Sequence, residues 1–506
     1  MHDCSIMINR HMRQNDIKKT AMDNRSKALD ALRGLAIIGM ILSGTITQSL
    51  PGWMYHAQVG PRSDFHFDPS VYGITWVDLV FPFFLFAMGA AIPVAMSGKL
   101  KEGKRMSEFL PAILKRSLML VIFAVSIYYC SPYRLTGGSL KYLLAMLAFL
   151  FWFMAFVRIG TISTRKNMSL NLAGLALLAL LVFINIKLYP DVFTSGFKLS
   201  NNDIIILVLA NMALFGAVIW LLTVKNLLLR LGILAVYFAI RLTSGAEGSW
   251  NQALFSFNPL NLLPDNVVSV LYNPGAYLFR MDFLKYLFIV VPGTIVGDLI
   301  VRHMNDPERD SYSPSEGRGS MYMAALLMFS AVLANLILLY NRNLHILPVV
   351  NISVVFAGYF LLRNPQTSPV RFYYAALQWG AFWLILGTFF EAFEGGIRKD
   401  HATMSYFFVT TALAIFMLIF FSVVIDYFKK REVFRYIVEC GQNPMVAYVA
   451  GNFVAVPLLS LAGLMPFLSS IDTITPWFGI VKGLFITGIM MAVTIITVRR
   501  RWFWKT

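Results

Sequence analysis

The run Thr75-Trp-Val-Asp78-Leu-Val-Phe-Pro82-Phe-Phe-Leu-Phe-Ala-Met-Gly89-Ala-Ala-Ile-Pro93-Val-Ala-Met-Ser97 decides the architecture, because Asp78 is its one charged residue. About 20 apolar residues in a row are what a helix needs to cross a hydrocarbon core. Lipid offers the backbone no hydrogen-bond partner, so such a segment satisfies its own N–H and C=O groups as a helix. Working outward, the same reading predicts spans near 30–49, 75–97, 112–130, 139–157, 168–188, 203–223, 226–242, 283–301, 320–340, 346–362, 371–390, 403–427, 441–463 and 477–498. The short pair at 203–242 and the span at 441–463, interrupted by Gly441, Asn443, Pro444 and Asn452, set the lower end of the count. The expected fold is all-α, a polytopic bundle of 12–14 transmembrane helices.

Composition agrees. Of 506 residues, 58% are apolar and 14% charged, with a mean hydropathy of +0.65, where a soluble domain carries roughly a quarter charged residues. A soluble enzyme, a disordered chain, a disulfide scaffold and a nucleic-acid binder are excluded as descriptions of the whole chain. Cys4, Cys130 and Cys440 are too scattered for a disulfide framework or a metal cluster, and no metal is expected.

The net charge of +17 is explained by where the cations fall. With the N-terminus inside, 30 of the 43 Lys and Arg residues lie in inner segments, as the positive-inside rule requires. Both termini are expected in the cytoplasm, with a basic tail over 1–27 and one transmembrane domain over 28–506. The tail lacks the apolar core of a signal peptide. No GxxxxGK[ST] loop occurs, which argues against an ATP-driven pump.

A polar side chain within a span costs energy, so those kept there point to a site. Asp30 and Arg33 share a helix face near the inner end of the first span. They allow a local ion pair, or Arg33 faces the bundle as a forked donor to an anion. His56 lies in the outer loop of the first hairpin and Asp78 at the outer end of the second span. An acid in an apolar helix needs a partner, and the pairing would orient the imidazole. His66 shares that loop as a decoy. Glu391, Glu394 and Lys399 crowd the outer end of the eleventh span beside Phe390 and Phe393, a grouping suited either to a sugar's hydroxyls and amine or to a solvated loop. Asp298 and Asp426, near inner span ends, are expected to snorkel to the interface.

The run Asp30-Ala-Leu-Arg33-Gly34, then His56, then Asp78-Leu-Val-Phe-Pro82-Phe-Phe-Leu-Phe-Ala-Met-Gly89, resembles the opening of the heparan-alpha-glucosaminide N-acetyltransferase family. Ile397 to Tyr406, Gly441-Gln-Asn443-Pro444 with Tyr448, and Arg501-Trp-Phe-Trp-Lys505 are similar to its later segments. The likeness is strongest over 27–130 and 371–506, with four extra spans expected between 160 and 370. Ala402 stands where the family usually has a tryptophan, and a large lumenal domain before the first span is not expected. The resemblance implies an enzyme taking acetyl from cytoplasmic acetyl-CoA to the amine of a glucosamine-like sugar on the outer face. His56 and Asp78 fall on its catalytic positions; Arg33, Glu391, Glu394, Lys399 and Asn443 are the candidate substrate-binding residues read from the sequence itself. The implied partners are acetyl-CoA, an amino-sugar or polysaccharide acceptor, the lipid bilayer and a second copy of the chain, and the implied location is a bacterial inner membrane. The alternative reading is a secondary transporter or flippase for a saccharide or lipid-linked substrate, with its site at the Asn443-Pro444 break.

Overall fold

Apolar surface gives no driving force between helices in lipid, so helices associate where small residues let backbones approach. The computed structural model, which describes residues 26–256, 278–309, 317–471 and 474–505, is organised around such contacts. The tail expected over 1–27 lies outside these residues as far as Arg25. The principal helices are α1 Lys27–Ser43, α2 Trp76–Lys101, α3 Leu110–Cys130, α4 Leu140–Phe156, α5 Thr164–Leu188, α6 Ile204–Thr223 and α7 Leu227–Thr243. They continue as α8 Leu287–Met304, α9 Arg318–Tyr340, α10 Leu347–Leu362 and α11 Ser368–Phe393. The series ends with α12 Met404–Tyr427, the short α13 Arg435–Gln442, α14 Pro444–Leu461 and α15 Gly479–Arg499.

Each of the fourteen expected windows falls on one of these helices. Ten helices in the described residues are long and apolar enough to cross a membrane, counting the turns that extend α3, α8 and α15. The other four, α1, α4, α7 and α10, have 16 or 17 residues. At 1.5 Å per residue they rise about 25 Å, a little short of the hydrocarbon thickness. The interruption foreseen at 441–463 falls at Asn443: α13 stops there, and Pro444 opens α14 at a position where its missing N–H costs nothing.

α2 packs most extensively against α8. A Cβ on Gly89 would stand 2.2 Å from the Val290 carbonyl oxygen, and one on Gly297 2.4 Å from that of Ala90. The crossing of α1 and α13 is as close: a Cβ on Gly441 would stand 1.8 Å from the Asp30 carbonyl oxygen. α12 is encased among its neighbours, while α5 and α15 leave most of their surface outside the bundle.

Long-range contacts sort the loops into two ends. At one, Val157–Ile159 and Trp502–Trp504 form a two-stranded antiparallel sheet, Arg371 bonds Asp306 and Glu308, and Arg499 bonds Glu439. At the other, Arg62 donates to the Tyr340 carbonyl, Arg398 to that of Pro69, and Arg241 pairs with Asp282. Each of these contacts joins segments that the charge pattern assigns to the same side.

The helices between 160 and 370 are not a peripheral insertion, since α6 and α8 both pack on α2. Asp298 does not simply snorkel, as expected from sequence. It accepts from the buried Arg230 at 2.7 Å and from the Trp220 indole at 3.0 Å, tying α6, α7 and α8 together.

Candidate active site

The site begins at the start of α2. Asp78 sits in its first turn, and the carboxylate reaches back so that Oδ2 accepts from the Thr75 backbone N–H at 2.9 Å, the acidic half of a capping box. The same oxygen accepts from the Ala57 N–H at 3.3 Å, and Oδ1 lies 2.7 Å from Nδ1 of His56. One buried carboxylate therefore fixes the helix start, the returning loop and the imidazole. A carboxylate only accepts, so Nδ1 carries the hydrogen, and in the neutral ring Nε2 is the nitrogen with a lone pair. Behind this pair, the Tyr406 hydroxyl donates to the Asp78 carbonyl at 2.8 Å, pinning α2 to α12.

The His56 side chain is 35% exposed, against 2% for Asp78. Its ring borders a cavity of about 340 Å³ between the ends of α1, α2 and α6, lined by Ser43, Tyr55, Val80 and Lys399 among others. Lys399 enters from the loop before α12, and its Nζ stands 3.1 Å from His56 Nε2. That loop is held in place by Gln58, whose Oε1 accepts from the Asp400 N–H at 2.9 Å and whose amide donates to the Asp400 carbonyl. Below the cavity a narrow void with room for about one water runs deeper between α1, α2, α6 and α14. The two share Met40, Phe81 and Ile205, and Ile37 lines the lower one.

The expected site residues therefore divide. His56, Asp78 and Lys399 converge. Glu391 and Glu394 lie on the same end of the bundle but are engaged elsewhere. Glu391 is buried and paired with Arg342, and it accepts from the Ile397 N–H. Glu394 accepts from the Ser405 N–H at 3.0 Å, capping α12. Arg33 lies deeper in the bundle, near the middle of α2, where it bonds Asp30 at 3.1 Å and donates to the Gly441 and Ala87 carbonyls at 3.2 and 3.4 Å. Ala87 is nine residues along α2 from Asp78, about 14 Å at the helical rise. Asn443 is buried at the opposite end, beside the two-stranded sheet, bonded to Thr497, the Trp502 carbonyl and the Trp504 N–H. His66 is exposed and turned to the Asp64 carbonyl. Sequence reasoning missed Thr75, Gln58 and Tyr406. Thr75 had a readable signal, Thr-x-x-Asp at a helix start; the other two act across loops that only the fold brings together.

Comparison with known proteins places these residues in a wider setting. The chain is 30% identical over 144 residues to heparan-alpha-glucosaminide N-acetyltransferase of Mus musculus, a match covering 26% of this chain and 20% of the mouse protein. The chain thus spans about a fifth of the length of that relative. Over residues 25–300, more than half of its length and including His56 and Asp78, the chain matches the family described as Domain of unknown function (DUF5009), and it belongs to that family.

Proposed function

We propose that this membrane protein is an N-acetyltransferase that moves acetyl from acetyl-CoA to the amine of a glucosamine-like sugar. One observation carries the reading: His56 is oriented by a buried carboxylate through Nδ1, and its partly exposed side chain lines a cavity at the end of the bundle. Attack of an amine on a thioester needs a base for the amine proton, and a neutral imidazole suits that work near neutral pH. In the proposed sequence Nε2 takes the proton, Asp78 stabilises the imidazolium, and the imidazolium returns the proton to the departing thiolate. The partial likeness to the mouse N-acetyltransferase supports the donor and the acceptor class.

The donor is proposed to enter from the basic, cytoplasmic end. There the exposed Lys99, Lys101, Lys104 and Arg105 are available to its phosphates. Arg33 ties α1 to α2 and α13 deeper in the bundle, and the face of α1 carrying Arg33, Ile37, Met40 and Gly44 leads from there to the His56 cavity. Met40 and Phe81 narrow this path, so the acyl arm passes when they swing aside; a flexible methionine suits such a gate. The transporter reading gains no observation, because the Asn443 side chain at the helix break is bonded within the chain.

The test uses vesicles of known orientation. Acetyl-CoA supplied on the cytoplasmic face acetylates an impermeant glucosamine acceptor on the opposite face. Transfer only when both are on one face would overturn the transmembrane route, and uptake of free sugar without acetylation would favour transport.

A further inference from the structure

Lys399 puts an amine beside the imidazole that the proposed reaction uses, in the cavity that both line. Its amino group stands 3.1 Å from His56 Nε2 and 3.3 Å from Nδ1, and Nδ1 is engaged by Asp78 at 2.7 Å. The amine thus lies over the ring, nearly equidistant from its two nitrogens, and a turn of the flexible lysine side chain brings it to the lone pair of Nε2, the nitrogen that Asp78 leaves unengaged. Its backbone is pinned on both sides: Arg398 donates through its side chain to the Pro69 carbonyl at 2.8 Å and through its N–H to Thr403 Oγ1 at 3.2 Å, and Asp400 is clamped by Gln58. A thioester that enters the cavity beside His56 meets the Lys399 amine on the same wall. Held groups of this kind react with the advantage of proximity, which turns a bimolecular step into an effectively unimolecular one.

We propose that Lys399 is an internal acceptor, acetylated by this site when no sugar is present. The inference rests on the reading of His56 as the acetyl-transfer base. In the step, an N–H bond of the Lys399 ammonium breaks and its proton passes to His56 Nε2. Nζ then attacks the thioester carbon, the C–S bond breaks with its electron pair on sulfur, and the imidazolium returns the proton to the thiolate. The products are acetyl-Lys399 and free coenzyme A, with one proton released to water. The amide has lost the lysine charge and fills the acceptor's place, so the reaction silences the enzyme. The sugar, by displacing Lys399 from the ring, protects it.

The experiment incubates the purified full chain in detergent with acetyl-CoA alone, and in parallel with acetyl-CoA and glucosamine, followed by peptide mass spectrometry and a rate assay. Expected are an acetyl group on Lys399 that accumulates as activity decays, protection by glucosamine, and labelling slowed by about a hundredfold or more in His56→Ala, the usual loss for a missing base. Lys399→Arg carries no mark, and whatever its starting rate, that rate does not decay on preincubation. Thermal unfolding checks that each variant is folded. Glucosamine acetylated while Lys399 stays bare overturns this inference and leaves the proposed function standing. Lys399 labelled equally fast in folded His56→Ala makes the reaction non-enzymatic and overturns it as well. Bound acetyl-CoA with transfer to neither amine overturns both.

Discussion

The Lys399 amino group lies 3.1 Å from Nε2 of His56, although 343 residues separate the two. The first hairpin supplies the imidazole and the acid that orients it, and the loop before α12 supplies the amine beside them. The site is therefore complete only when the C-terminal helices have packed on α1 and α2. The contact between Tyr406 and the Asp78 backbone makes that dependence structural as well as chemical.

Asp78→Asn separates orientation from charge. An amide can keep its oxygen on the Thr75 N–H and turn its NH₂ toward His56, but Nδ1 must then accept and Nε2 must carry the hydrogen. The base is in the wrong tautomer. Acetyl transfer should fall by about 10²–10⁴-fold with a smaller change in acetyl-CoA affinity, measured by steady-state rates and equilibrium binding. Unchanged turnover would reduce Asp78 to a helix cap.

Gly441→Ala tests the close crossing of α1 and α13. The new Cβ would meet the Asp30 carbonyl oxygen at 1.8 Å, and backbone cannot turn aside as a side-chain tip can. α13 must move away and take with it the Gly441 carbonyl to which Arg33 donates. A loss of about 1–3 kcal/mol or more is expected for overpacking, read as a lower midpoint in detergent unfolding. A midpoint equal to that of the native protein would show that the crossing is looser than described.

Sidedness follows from the distribution of Lys and Arg. With Cys4 replaced, and Cys130 and Cys440 buried, a cysteine at the exposed Ser195 should react with an impermeant thiol reagent from outside, and one at the exposed Ser107 should not. The opposite pattern would invert the orientation of every helix.

What was legible in the sequence was what repeats or lies nearby. A span is an apolar run of fixed length, so the helices could be read one by one. Their ends were set by local chemistry: Ser26 accepts from the Leu29 N–H and starts α1 at Lys27, ahead of the apolar window. The His56–Asp78 pair was legible because a buried acid needs a partner and the hairpin's own loop held one. The charge pattern puts Lys399 at the right end of the bundle but says nothing of its place beside the ring. Nothing in sequence measures a contact across 343 residues. Glu391 and Glu394 were misleading for the same reason. Acids beside aromatics suit a sugar, yet Arg342 and the start of α12 engage them first. Asp298 needed Arg230, 68 residues away, before it could be seen as one part of a buried tie.

The central claim, that His56 is the base for acetyl transfer from acetyl-CoA, is tested most directly by the initial rate of glucosamine-dependent coenzyme A release from purified protein. The native chain and His66→Ala should turn over at similar rates. His56→Ala should bind acetyl-CoA yet fall below about a hundredth of the native rate. A folded His56→Ala protein that keeps more than about a tenth of that rate, or a native protein that binds acetyl-CoA and releases none to glucosamine, would contradict it.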